Sequence, residues 1–153
     1  MRPFPHWHLQ YLIMALGLLA PAAALSSTPA FPARTYTIET SGSSKPIVDA
    51  LEKASKSAGL QCFRSDSSVP IQCDFKNSVN KPFRGQLDAL DEPNEKQMVI
   101  RAYTDTPYPQ DGRIDPTLER ALQRFFELLS KNDIRHIEQC LGMTPQCSEV
   151  KFH

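Results

Sequence analysis

Four cysteines in two close pairs, Cys62 with Cys73 and Cys140 with Cys147, constrain what this chain can fold into more than any other feature. An even cysteine count in a chain addressed to an oxidising compartment reads as a disulfide framework. Four cysteines permit three connectivities, and local geometry favours the two near-neighbour pairs. Each local bridge closes a short loop worth roughly 2 to 3 kcal/mol, against about 4 to 5 for a long-range pairing, so proximity and not energy selects them. Neither pair has the short C-x(2 to 4)-C spacing of a zinc site, and exported thiols tend to oxidise, which disfavours metal binding by these residues.

The address comes from the N-terminus. Met1 to Gln10 hold one permanent charge, Arg2, and no acid, and Leu9 to Ala20 run apolar apart from Gln10. That layout is a secretory signal peptide, with Ala22-Ala23-Ala24 as the A-x-A cleavage site and an alternative cut after Ala30. The expected organisation is a signal peptide over 1–24, a flexible leader over 25–34 and a single domain over 35–153. A spanning helix wants about 20 apolar residues, and this run is shorter and broken by Pro21, so no stable membrane insertion is expected after cleavage. The destination is periplasmic or extracellular.

Cleavage at Leu25 leaves 16 basic and 17 acidic residues, a net charge of −1. This balance excludes nucleic-acid binding driven by broad positive charge and gives no polybasic membrane patch. The 129 remaining residues suit one domain with one core.

Periodicity then places the elements. Thr35 to Thr40 alternates as a half-buried strand, and Ile47, Leu51, Ala54 and Ala58 recur at helical spacing between Pro46 and Gly59. Asp49 is expected to suit the positive end of that helix, and Gly59 its left-handed stop. Leu60 to Arg64 and Ile71 to Phe75 read as hairpin arms. A register pairing Arg64 with Ile71 sets Cys62 opposite Cys73, within disulfide reach.

A second hairpin follows from the alternation of Phe83, Gly85, Leu87 and Ala89 and of Met98, Ile100 and Ala102 around a turn at Asp91 to Glu95. Asp115-Pro116 opens a helix whose stripe is Leu118, Ala121, Leu122, Phe125, Leu128 and Leu129. Ile134, Ile137 and Leu141 predict a further short helix ending at Gly142. The expected fold class is α+β: a small, mainly antiparallel sheet of about four to five strands with helices on one face, in the order β-α-β-β-β-β-α-α, stapled by two disulfides.

No motif with a known chemistry emerges. With His6 and His8 removed and His153 terminal, His136 is the one credible imidazole, and no nucleophile is placed beside it. The acidic group Asp88, Asp91, Glu92 and Glu95 offers carboxylates for calcium or for acid and base work, but reads better as a solvated turn that guards a sheet edge. Asp111 to Asp115 resembles the middle of an EF-hand loop, yet Pro107, Pro109 and Leu118 would stand where oxygen ligands are needed. No catalytic residue, cofactor or metal is assigned.

Contact surfaces are easier to nominate. Thr104 to Arg113 is a proline- and aspartate-rich connection with Tyr108 between Pro107 and Pro109, a candidate contact loop. Phe126 sits off the centre of its helix stripe and either widens the buried face or marks an exposed contact. Tyr108 and Phe126 are therefore the expected binding residues. The expected function is an exported interaction or inhibitor-type module whose partner is another exported or envelope macromolecule. A small-ligand carrier of the envelope ranks second, and a carboxylate and His136 hydrolase third.

Overall fold

The computed structural model describes residues 31–76, 83–143 and 146–151. The expected signal peptide and leader residues 25–30 lie outside the described residues. Strand β1 (Arg34–Thr40) is followed by helix α1 (Lys45–Ser57), hairpin β2 (Leu60–Arg64) and β3 (Ile71–Phe75), and hairpin β4 (Gly85–Glu92) and β5 (Gln97–Thr104). Helix α2 (Pro116–Leu128) and strands β6 (Ile134–Leu141) and β7 (Gln146–Glu149) complete the chain. The strands form one antiparallel seven-stranded sheet in the order β2-β3-β4-β5-β1-β6-β7.

Two crossovers organise this sheet. Helix α1 links β1 to β2, and α2 links β5 to β6; each pair of strands runs in the same direction without being adjacent. Strand direction and the sense of displacement along the sheet both reverse between the two crossovers. The right-handed rule for such connections therefore puts both helices on the same face. There Ile47, Leu51 and Ala54 of α1 and Leu118, Leu122 and Phe125 of α2 join Ile38, Ile71, Leu87, Met98, Ile100 and Ile137 in one buried core. Among the described residues the opposite face carries no helix.

The hairpin register is the expected one: Arg64 faces Ile71 and Cys62 faces Cys73. Disulfides join Cys62 to Cys73 and Cys140 to Cys147, each with Cα atoms 4.1 Å apart. The first lies on the helix side of the sheet, with Cys73 wholly buried. The second lies on the open face near the other edge, because Cys140 pairs with Thr35, whose neighbours Arg34 and Tyr36 point the other way.

The C-terminal part departs from expectation. Ile134 to Leu141 is a strand and not a helix, and Gln146–Glu149 adds another, so among the described residues the sheet has seven strands instead of four or five, beside two helices instead of three. Ile134 and Ile137 are three apart, an odd spacing that a regular strand would split between its faces. A bulge resolves this: Thr40 pairs with Ile134 and Glu39 with His136, leaving Arg135 as the extra residue. Both isoleucines thereby reach the core face, and a strand imitates helical spacing.

Two smaller expectations also change. Asp49 lies past the first turn of α1, which holds no acid, and pairs with Lys45 at 2.6 Å and with Arg64 at 2.5 Å. Ser44, at the N-cap, makes no side-chain cap bond; its hydroxyl donates to Asp91 at 2.9 Å. Asp115 does cap α2, accepting from the Thr117 N–H at 2.8 Å.

Candidate functional site

Among the described residues four large apolar side chains stand exposed: Phe31, Phe63, Tyr108 and Met143. Phe63 lies on the edge strand β2. The other three gather at one end of the molecule, although they come from three separate segments. Tyr108, 60 % exposed, has its ring 6.1 Å from that of Phe31. Met143 is tied to the same loop by its N–H, which donates to the Pro109 carbonyl at 3.2 Å.

Hydrogen bonds to backbone carbonyls knit these segments together. The Gly142 N–H donates to the Ala33 carbonyl at 2.8 Å, and Arg34 Nε donates to the Gly112 carbonyl at 2.6 Å. Gly142 has φ +64°, and a Cβ there would lie 2.8 Å from the Gln110 carbonyl oxygen. Glycine is therefore required for β6 to end this close to the loop. Arg34 also pairs with Glu119 of α2 at 2.7 Å, which fastens the tip to the helix layer.

Beside this apolar tip opens a cleft of about 630 Å³, lined among others by Arg84, Thr104, Tyr108, Asp111, Arg113 and Asp115. Four of its five charged side chains pair with one another, and the fifth, Asp105, accepts from the Thr104 hydroxyl at 3.0 Å. Arg84 meets Asp115 at 2.8 Å and stacks over Phe75, and Arg113 meets Asp111 at 2.8 Å. A ligand here would exchange existing ion pairs, so the cleft favours a polar molecule that presents both donors and acceptors.

The other expected residues separate from this tip. Phe126 is half-buried, with its ring 5.0 Å from Tyr36 and 5.1 Å from Phe125, and it widens the buried face of α2. Of the acidic group, Asp88 lies buried at mid-strand, Asp91 accepts from Ser44, and Glu92 and Glu95 stay at the turn. His136 stands half-exposed on the open face, with Nδ1 3.6 Å from Glu149 on the neighbouring strand β7.

The open face also holds a polar pair the sequence reading missed. Arg101 Nε donates to Asp88 Oδ1 at 2.7 Å and its Nη2 to Oδ2 at 2.9 Å. Burial pushes the Asp88 carboxyl up from its ordinary range, against the opposing pull of Arg101. The signal was present in the alternation: Asp88 sits between core residues Leu87 and Ala89, and Arg101 between Ile100 and Ala102. Two opposite charges at such positions, on neighbouring strands, mark a cross-strand pair.

Among the described residues no helix is long and apolar enough to cross a membrane. No protein-family model matches this chain, and no match was found among curated proteins or solved structures.

Proposed function

We propose that this chain is an exported docking module that engages another exported or envelope macromolecule through the tip formed by Phe31, Tyr108 and Met143. The observation that carries this reading is the approach of the exposed Phe31 and Tyr108 rings at one proline-framed loop, to whose backbone the exposed Met143 is also bonded. Aromatic side chains and methionine are enriched at interface centres, and a surface held by its own backbone hydrogen bonds loses little freedom on binding. Two disulfides and an apolar N-terminal segment support the exported part of the reading.

The test is substitution at the tip. Tyr108→Ser and Phe31→Ser should each weaken binding to the partner at least about tenfold, as aromatic anchors do at interface centres. Thermal stability should stay near that of the parent chain, because neither ring belongs to the core. Binding that survives both changes together would refute the assignment.

The polar cleft favours a second reading, a carrier of a small zwitterionic or polyhydroxylated ligand. A nonprotein mass retained in native mass spectrometry, and lost on Arg84→Ala, distinguishes it from macromolecular docking.

A further inference from the structure

The two disulfides differ in their surroundings. Cys73 is wholly buried and Cys62 packs against the same core, whereas Cys147 is exposed and Cys140 half-exposed at the β6–β7 edge of the sheet. A reductant that must reach sulfur in solution meets the second bridge first.

What lies around that bridge is unusual for a purely structural staple. Side chains alternate along a strand, so His136, Glu138 and Cys140 share the open face of β6. Glu149 lies directly opposite Glu138, and Cys147 opposite Cys140. Ligand atoms of Glu138, Cys140 and Cys147 all lie within 4.8 Å of one another. His136 Nδ1 approaches Glu149 at 3.6 Å. Five side chains able to bind a metal thus share the open face at this edge of the sheet, three of them, Glu138, Cys140 and Cys147, close together, and two like charges stand cross-strand, an arrangement that costs stability unless a cation lies between them.

We propose that the Cys140–Cys147 bridge is a redox-gated metal site. A dithiol reductant transfers two electrons and two protons to the bridge, yielding two cysteine thiols and the oxidised dithiol as its own disulfide. A borderline-soft divalent cation of the zinc type then binds the two thiolates and the Glu138 carboxylate, releasing the two thiol protons, and Glu149, which faces Glu138 across the strands, or a water completes a four-coordinate set. The chain spacing of seven residues hides this site, because its third ligand comes from the strand pattern and not from a cysteine motif. The Cys62–Cys73 bridge takes no part.

The experiment uses the purified chain with both bridges formed. Graded dithiol, followed by alkylation and peptide mapping, should label Cys140 and Cys147 at concentrations that leave Cys62 and Cys73 joined. Cobalt(II) added to that form should bind once per chain and show thiolate-to-cobalt charge-transfer absorption, which zinc(II) abolishes by displacement. Neither signal should occur with both bridges intact, nor in the reduced Cys140→Ser variant. Even outer-shell partners of a metal are worth about 10- to 100-fold in affinity, so Glu138→Gln should weaken cobalt binding at least about tenfold. Simultaneous reduction of both bridges, loss of the fold on reducing the second alone, absence of the charge-transfer band, or unchanged binding in Glu138→Gln would each overturn the proposal.

Discussion

The Asp88–Arg101 pair shows how one residue depends on another. The Asp88 side chain is 6 % exposed and that of Arg101 27 %, so the pair lies between a surface bridge and a fully buried one. Removing one partner of a buried pair costs about 3 to 5 kcal/mol, because the remaining charge is left uncompensated. Partial exposure of Arg101 places Arg101→Met near about 3 kcal/mol, measured by urea unfolding at neutral pH. Without the guanidinium, desolvation alone acts on Asp88 and raises its carboxyl further. A folded-state value above the unfolded one means that the folded chain takes up the proton first, so the penalty of the substitution shrinks as pH falls and Asp88 becomes neutral. A penalty independent of pH between about 7 and 4 would contradict this account.

Gly85 is a second such position. Its φ is +136°, and a Cβ would lie 2.6 Å from the Tyr103 carbonyl oxygen and 2.7 Å from Leu118 Cδ1. Gly85→Ala combines backbone strain with a clash between β4 and α2. A loss of about 2 kcal/mol or more is expected in the same unfolding assay.

At the scale of elements, the sequence was most legible where each element's period agreed with its environment. The hairpin β2–β3 could be placed to the residue because the alternation and the cysteine register both pointed to one pairing. Helix α2 was equally plain from its cap, its proline and its stripe. Strand β6 was not, because the bulge at Arg135 sits on a partner contact between distant segments, and no local pattern distinguishes it from a helix turn. The two disulfides follow from this element-level view. Each should contribute roughly 2 to 3 kcal/mol by loop closure alone. Cys62→Ala with Cys73→Ala should cost more than the equivalent change at Cys140 and Cys147, since it also opens a cavity in the core; equal losses in thermal unfolding would contradict the difference in burial.

The contact between α1 and β2 has its own pH signature. Arg64 reaches from β2 to Asp49 and Glu52 on α1. Hydrogen bonds from Lys45 and Arg64 hold the Asp49 carboxyl below its ordinary range, and those from Lys56 and Arg64 do the same for Glu52. Depressed folded-state values mean stabilisation that is fully present above the ordinary carboxyl range and lost as pH falls through the depressed ones. These groups are well solvated, which keeps the effect small. Arg64→Gln should therefore lower Tm slightly at pH 7, with the difference from the parent chain disappearing as pH falls below about 4.

Among the described residues, a two-layer architecture places both helices on one sheet face and gathers exposed apolar side chains at one tip, and the account assigns docking to the tip. Tyr108 was legible as an exposed aromatic in a proline-framed loop. Phe31 and Met143 were not, because each is an unremarkable residue in its own segment and gains meaning only when the bonds from Gly142 to Ala33 and from Met143 to Pro109 bring the segments together. The most direct measurement is site-specific photocrosslinking in the native exported fraction, with a benzophenone amino acid placed at Tyr108 and, as a control, at the exposed Gln123 on α2. The account predicts one defined adduct from position 108, none of that mass from position 123, and its loss when Phe31 is changed to Ser. No adduct from position 108, or the same adducts from both positions, would contradict the assignment of the tip as the docking surface.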